Sequence, residues 1–117
     1  LINPKLAEAQ VHGGMSMGLG YALSEELLFD KNGRPLNDNL LDYKLPTSMD
    51  TPDLHVQFVE LDDPTGPFGN KALGEPPAIP VAPAIRNAVL NATGVAVDSL
   101  PLDPQKLVAH FKAAELI

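Results

Sequence analysis

Asn3-Pro4-Lys5-Leu6-Ala7-Glu8-Ala9-Gln10-Val11-His12-Gly13-Gly14-Met15-Ser16-Met17-Gly18-Leu19-Gly20-Tyr21-Ala22-Leu23 is the stretch on which the reading of the chain turns. Asn followed by Pro is a helix start: the Asx side chain caps the first turn and Pro fits the first helical position. Ala7, Val11, Gly14 or Met15, Gly18 or Leu19, and Ala22 or Leu23 then recur at steps of three and four. That spacing predicts a helix. Gly13, Gly14, Gly18 and Gly20 oppose it, each costing roughly 1 kcal/mol against Ala in a helix interior. A helix written this way is weak alone and is suited to close packing against another backbone. The pair around Leu19 is not a dinucleotide fingerprint, because the third glycine is missing and no strand precedes it.

Beyond this helix the pattern changes. Glu25 to Asp30 predicts a short strand, and Lys31-Asn32-Gly33-Arg34 a tight turn, Asn-Gly being a strong hairpin signal. Pro35 makes the return segment an edge or irregular strand. Asn37 to Leu45 reads as polar loop anchored by Leu40, Leu41 and Tyr43. In Leu54-His55-Val56-Gln57-Phe58-Val59-Glu60-Leu61 the apolar residues first alternate with polar ones, which predicts a half-buried strand. The change of parity after Phe58 suggests a bulge. Ile79, Ala82, Ile85, Val89 and Ala92 mark a second helix, with Pro80 or Pro83 in its first turn and Gly94 as its stop. Val95 and Val97 suggest a short extended piece. Asp103-Pro104 starts a last helix with Leu107, Val108 and Phe111 on one face. The expected fold class is therefore α+β: a Gly-rich N-terminal helix, short mixed strands and two C-terminal helices. Residues 1–117 form one segment, with no repeat or linker inside it.

Composition narrows the function classes. The 117 residues are enough for one small domain. A net charge of −7, with eight scattered basic residues, opposes a nucleic-acid surface. No apolar run is long enough to span a bilayer. Without Cys the chain has no disulfide framework and no ligand for an iron–sulfur cluster. A cytoplasmic location fits this. The opening Leu1-Ile2-Asn3-Pro4 reads like the middle of a protein, so a fragment or a completing subunit is expected.

Chemistry is expected at Gly66-Pro67-Phe68-Gly69-Asn70-Lys71-Ala72-Leu73-Gly74-Glu75-Pro76-Pro77. Glycines permit tight turns and close approach, and prolines hold the shape. Glu75, directly before Pro76, is biased to an extended conformation. It is the leading candidate for a general base, since such a group must be placed before it is tuned. A solvated turn residue is an equal reading from spacing alone. Lys71 could bind an anion, but the segment is not a P-loop, since no Ser or Thr follows the Lys. His12, His55 and His110 lie far apart, so a metal site built from this chain is not expected. The serines lack a nucleophile elbow. Met15 and Met17 read as core filler.

Taken together, Ile2-Asn3-Pro4, Glu8-Ala9-Gln10, the Gly13–Gly20 glycines, Leu41-Asp42-Tyr43-Lys44-Leu45-Pro46 and Lys71-Ala72-Leu73-Gly74-Glu75-Pro76-Pro77 resemble the molybdenum hydroxylases, the xanthine dehydrogenase and aldehyde oxidase family. The likeness is to the C-terminal end of the molybdenum-binding chain and covers nearly the whole sequence. It implies that Glu75 acts as base toward a hydroxo ligand of molybdenum, in a hydroxylation of a heterocycle or aldehyde that uses oxygen from water. It implies that Lys71, Ala72, Leu73 and Gly74, with Gln10, line the molybdopterin cofactor, which the rest of the enzyme mainly supplies. The implied partners are the remainder of the molybdenum-binding chain and the iron–sulfur and FAD subunits or domains. Family chains are several times longer, so this one is expected to be inactive alone and to belong to a larger molybdopterin-binding domain. The alternative is a non-catalytic assembly or docking module whose apolar faces meet a partner or self-associate.

Overall fold

The computed structural model describes residues 1–117. Helix α1 spans Pro4–Leu23, α2 Val81–Thr93 and α3 Pro104–Ala113, with one 3-10 turn at Pro67–Gly69. The helix starts follow the expected capping chemistry. Asn3 Oδ1 accepts from the Leu6 N–H at 3.1 Å, and Asp103 Oδ1 accepts from the Lys106 N–H at 2.9 Å. Helix α2 stops where expected: Gly94 adopts φ 73°, and its N–H donates to Leu90 O at 2.7 Å. Only a residue without a Cβ takes that conformation at no steric cost.

Among the named elements only α1 and α2 pack together, and the glycines explain how. A Cβ placed on Gly18 would fall 2.5 Å from Val81 Cβ, and one on Gly14 would fall 2.8 Å from Pro77 Cβ. Gly14, Gly18 and Ala22 are buried on this side of α1. The end of α1 is stitched to two distant segments. Ala22 O accepts from the Leu102 N–H at 2.6 Å, and Ser24 Oγ donates to Lys44 O at 2.9 Å. Ala22, Val97 and Leu102 form the small core below this junction. Lys106 reaches back to the Glu26 carboxylate at 3.0 Å, and Arg86 pairs with Asp98 at 2.6 Å.

The α+β expectation is overturned. The chain is helical, and no strand forms; one isolated bridge joins Phe29 and Pro35. Asn37, taken from the sequence as loop, explains why the 25–35 hairpin stops there. Its side-chain oxygen accepts from the Leu28 N–H at 2.8 Å, and its side-chain nitrogen donates to Glu26 O at 2.7 Å. Two backbone bonds, Asp30 N–H to Arg34 O and Leu36 N–H to Leu28 O, are all the ladder there is; beyond them the carboxamide takes over, and Pro35 has no N–H to add a bond. Leu54 to Leu61 fails as a strand for a different reason. Residues 51–63 run without a turn or bend, and Leu54, Val56 and Phe58 are half-buried while His55 and Gln57 are exposed. The alternation reports which side faces the chain. It does not supply a neighbour, and no backbone bond joins residues 53–61 to another segment. The bulge at Phe58–Val59 therefore has no ladder to interrupt. Residues 95–97 likewise form no strand; Val97 is buried and its carbonyl accepts from Arg86 Nε at 3.3 Å. Met17, expected in a core, is exposed.

The packing is open throughout. The radius of gyration is 18.0 Å, against about 13 Å for a compact chain of this length. The accessible surface is 8775 Å², where a self-contained chain of this mass exposes roughly 6,200 Å². Leu41, Met49, Val59 and Phe68 are among the large apolar side chains left outside. No helix is long and apolar enough to cross a membrane.

Candidate functional site

Three residues on one stripe of α1, Gln10, Gly14 and Gly18, are spaced four apart and so lie one above the other on the same face. The chain from Gly74 to Val81 runs along that stripe. Gln10 Nε2 donates to Gly74 O at 3.3 Å. Gly14 meets Pro77 and Ala78, and Gly18 meets Ala78 and Val81. Each helical turn of α1 is thus matched to a successive part of the loop. The loop closes on itself as well: Glu75 O accepts from the Ala78 N–H at 2.9 Å and Pro76 O from the Ile79 N–H at 3.3 Å. Glu75 therefore begins a short turn that leads into α2. Its carboxylate is exposed and makes no hydrogen bond or ion pair within the chain.

Before this turn lies an open groove of about 660 Å³. One wall is the start of α1, including Leu6 and Gln10; the other is the Phe58–Asp62 arm and the Phe68–Leu73 loop. Lys71, Ala72 and Leu73, singled out from the sequence, line it together with Gln10, whereas Gly74 and Glu75 follow just outside the lining. Sequence and structure therefore bring Gln10, Lys71, Ala72, Leu73 and Gly74 to one place across a separation of more than sixty residues. His12, His55 and His110 do not join them, and no three His, Asp or Glu residues are gathered where a metal could bind.

The donor set of the groove is one-sided. No hydrogen bond within the chain uses the backbone N–H of Lys71, Ala72, Leu73, Gly74 or Glu75. Asn70 Oδ1 is buried in the groove wall without a partner. Buried polar atoms are nearly always paired in a complete structure, so Asn70 Oδ1 calls for a donor, while the N–H groups of Lys71, Ala72 and Leu73 in the lining are free to meet an acceptor; an occupant carrying both fits them. A pterin ring system with its phosphate is such a molecule. Asn70 and Phe68 are the groove residues that sequence reasoning passed over. Phe68 adopts φ 53° and is 94% exposed. A left-handed, fully exposed aromatic is strained backbone of the kind found at binding sites. Its only sequence signal was its place between Pro67 and Gly69.

At the foot of the arm, Asp63 Oδ1 accepts from Thr65 Oγ1 at 2.7 Å and from the Thr65 N–H at 2.9 Å. These two bonds, the hydroxyl first, hold its carboxyl below the ordinary carboxylate range. Partial burial, then the nearby Glu25 carboxylate, pushes the Tyr43 phenol above its ordinary value.

Comparison with known proteins is consistent over the full length. A family described as a molybdopterin cofactor-binding domain matches residues 1–52. The chain is 58% identical, over all of its length, to the xanthine dehydrogenase molybdenum-binding subunit of Escherichia coli O157:H7, of which it covers 16%. It is 41% identical to the aldehyde oxidoreductase molybdenum-binding subunit PaoC of Escherichia coli K12, with 92% of this chain and 15% of that one aligned. Among solved structures, quinoline 2-oxidoreductase from Pseudomonas putida 86 superposes with a TM-score of 0.88 at 30% identity, covering 96% of this chain and 15% of that chain. The Cu,Mo-CO dehydrogenase superposes equally well, again at 30% identity, over 98% of this chain and 15% of that one. The chain thus spans about a sixth of the length of the relatives it matches.

Proposed function

This chain belongs to the xanthine dehydrogenase and aldehyde oxidase family of molybdenum hydroxylases, and we propose that it supplies Glu75 as the general base of such an enzyme. The observation that carries the reading is the junction at Gly74. There a carboxylate with no partner in the chain adjoins a run of unused N–H groups, and Gln10 of α1 ties the two to the scaffold. The molybdenum cofactor, when bound, would supply the redox chemistry for hydroxylating an aldehyde or heterocycle.

The chain's own residues do the rest. The N–H groups from Lys71 to Gly74 and the Lys71 ammonium hold the pterin side of the cofactor. Asn70 Oδ1 is available to accept from a pterin amine. Glu75 takes up a proton at its carboxylate, from a turn that Pro76 and Pro77 keep stiff. Most of the cofactor's other contacts come from the remainder of the molybdenum-binding chain. That remainder also covers the apolar faces left open here, and iron–sulfur and FAD partners carry the electrons away. Residues 1–117 are, on this reading, the C-terminal part of one molybdopterin-binding domain, and the isolated chain is inactive.

Glu75→Gln in the complete enzyme is the test. A positioned base contributes about a hundredfold to ten-thousandfold in rate. The expected outcome is a fall in kcat of that order with molybdenum content unchanged. Near-normal turnover at full molybdenum content would remove Glu75 from the base role. Stoichiometric molybdenum in the isolated 117-residue chain would overturn the dependence on the rest of the enzyme.

A further inference from the structure

We infer that Gln10 and Gly14 are positioning residues for Glu75: α1 sets where the carboxylate stands by gripping the chain on both sides of it. The inference rests on the reading of Glu75 as base and adds how that base is held. Before Glu75, the Gln10 carboxamide donates to Gly74 O at 3.3 Å. After it, Pro77 sits against Gly14 so closely that a Cβ there would lie 2.8 Å from Pro77 Cβ and 3.3 Å from Ala78 N. The two contacts are one helical turn apart on a 20-residue helix, so they move as one body. Only Glu75 and Pro76 lie between the two contacts. The Glu75 side chain has no tether of its own, so its backbone must be held from elsewhere. The same arrangement explains a glycine that helix propensity would exclude: at Gly14 any side chain would push the turn outward.

Gln10 also lines the groove, so the test must separate holding the turn from holding the cofactor. In the complete enzyme, Gln10→Met keeps the reach of the side chain and removes the donor. Gly14→Ala adds the Cβ. Amide exchange at Ala78, whose N–H bonds to Glu75 O, reads the turn directly and does not depend on turnover. Both variants are expected to speed that exchange by about tenfold or more, because the turn opens locally without global unfolding. Both are expected to lower kcat by up to about a hundredfold, the cost of a misplaced catalytic group. For Gly14→Ala, whose residue does not line the groove, KM and molybdenum content stay as in the parent. Combined with Glu75→Gln, neither variant lowers kcat further, because the group it positions is already gone. Unchanged Ala78 exchange would overturn the inference, whether or not activity falls. So would loss of molybdenum with an unchanged turn, which assigns Gln10 to the cofactor. Additive losses with Glu75→Gln would overturn it as well. If Glu75→Gln alone leaves turnover normal while Ala78 exchange still rises in both variants, the base reading fails and the grip of α1 on the turn stands. Should Gly14→Ala fail to fold, Gln10→Met carries the test, since it adds no bulk.

Discussion

The α1–α2 contact and the arm over residues 51–63 show two ways in which this chain meets its surroundings. The first is closed. Gly14 and Gly18 let a loop and a second helix settle directly on the α1 backbone, and both partners belong to the chain. The second is open. The arm runs without a turn, half-buried on one side and exposed at Val59 and Leu61 on the other, and residues 53–61 have no backbone partner. The closed region carries Glu75; the open region forms the far wall of the groove beside it. The difference teaches that the turn carrying Glu75 is held by the segment itself, whereas the far wall of the groove has no backbone ladder to hold it.

The contrast can be broken first at the glycines. Gly18→Val places methyl groups where Val81 already stands. In the complete subunit it is expected to lower stability by about 1–3 kcal/mol, the usual cost of overpacking. Gly13 lies on the same helix with nothing within 4 Å of a Cβ. There the sign reverses, and Gly13→Ala is expected to add up to about 1 kcal/mol through helix propensity. Thermal unfolding of the two variants checks the pair. Equal effects would mean that α1 does not meet α2 as described.

A second, smaller effect sharpens the reading of the arm. Val59 is 85% exposed in this chain. If the rest of the subunit covers it, Val59→Asp in the complete subunit costs more than the ~0.5 kcal/mol of an ordinary surface change. A shift within that limit, measured by denaturant unfolding, would show the arm to be solvent-facing in the whole enzyme.

The smallest effect is electrostatic. Asp63 has its folded carboxyl value lowered by the Thr65 hydroxyl and N–H. Its contribution is therefore full above the unfolded carboxylate value and is lost as pH falls through the folded one. Thr65→Val removes the hydroxyl bond, so the Asp63 titration should move up toward the ordinary range. Carbon-detected NMR of the side-chain carboxyl follows it, and an unmoved titration would contradict the bond.

Much of the helical part was legible in the residues. Asn3-Pro4 and Asp103-Pro104 cap their helices through contacts spanning three residues, and Gly94 ends α2 through one spanning four. The strands were misread because their pattern describes one-sided burial, and pairing needs a neighbour that local sequence does not name. Asn37 shows the same limit in reverse. Nothing in its surroundings announces that its carboxamide would take over where the backbone bonds of the hairpin end.

The sequence by itself determined the helices and the presence of glycines on one face of α1, because these depend on capping, backbone freedom and periodicity within a few residues; it read Glu75 as extended on a stiff loop, and the turn that starts there came from the structure. Its resemblance to a family pointed to Glu75 and to the Lys71–Gly74 run. Only the tertiary structure decided that Gln10 reaches Gly74, that Gly14 seats Pro77, and that residues 53–61 have no backbone partner within the chain. These are contacts, or missing contacts, between residues far apart in the chain, and they are set by how whole elements pack.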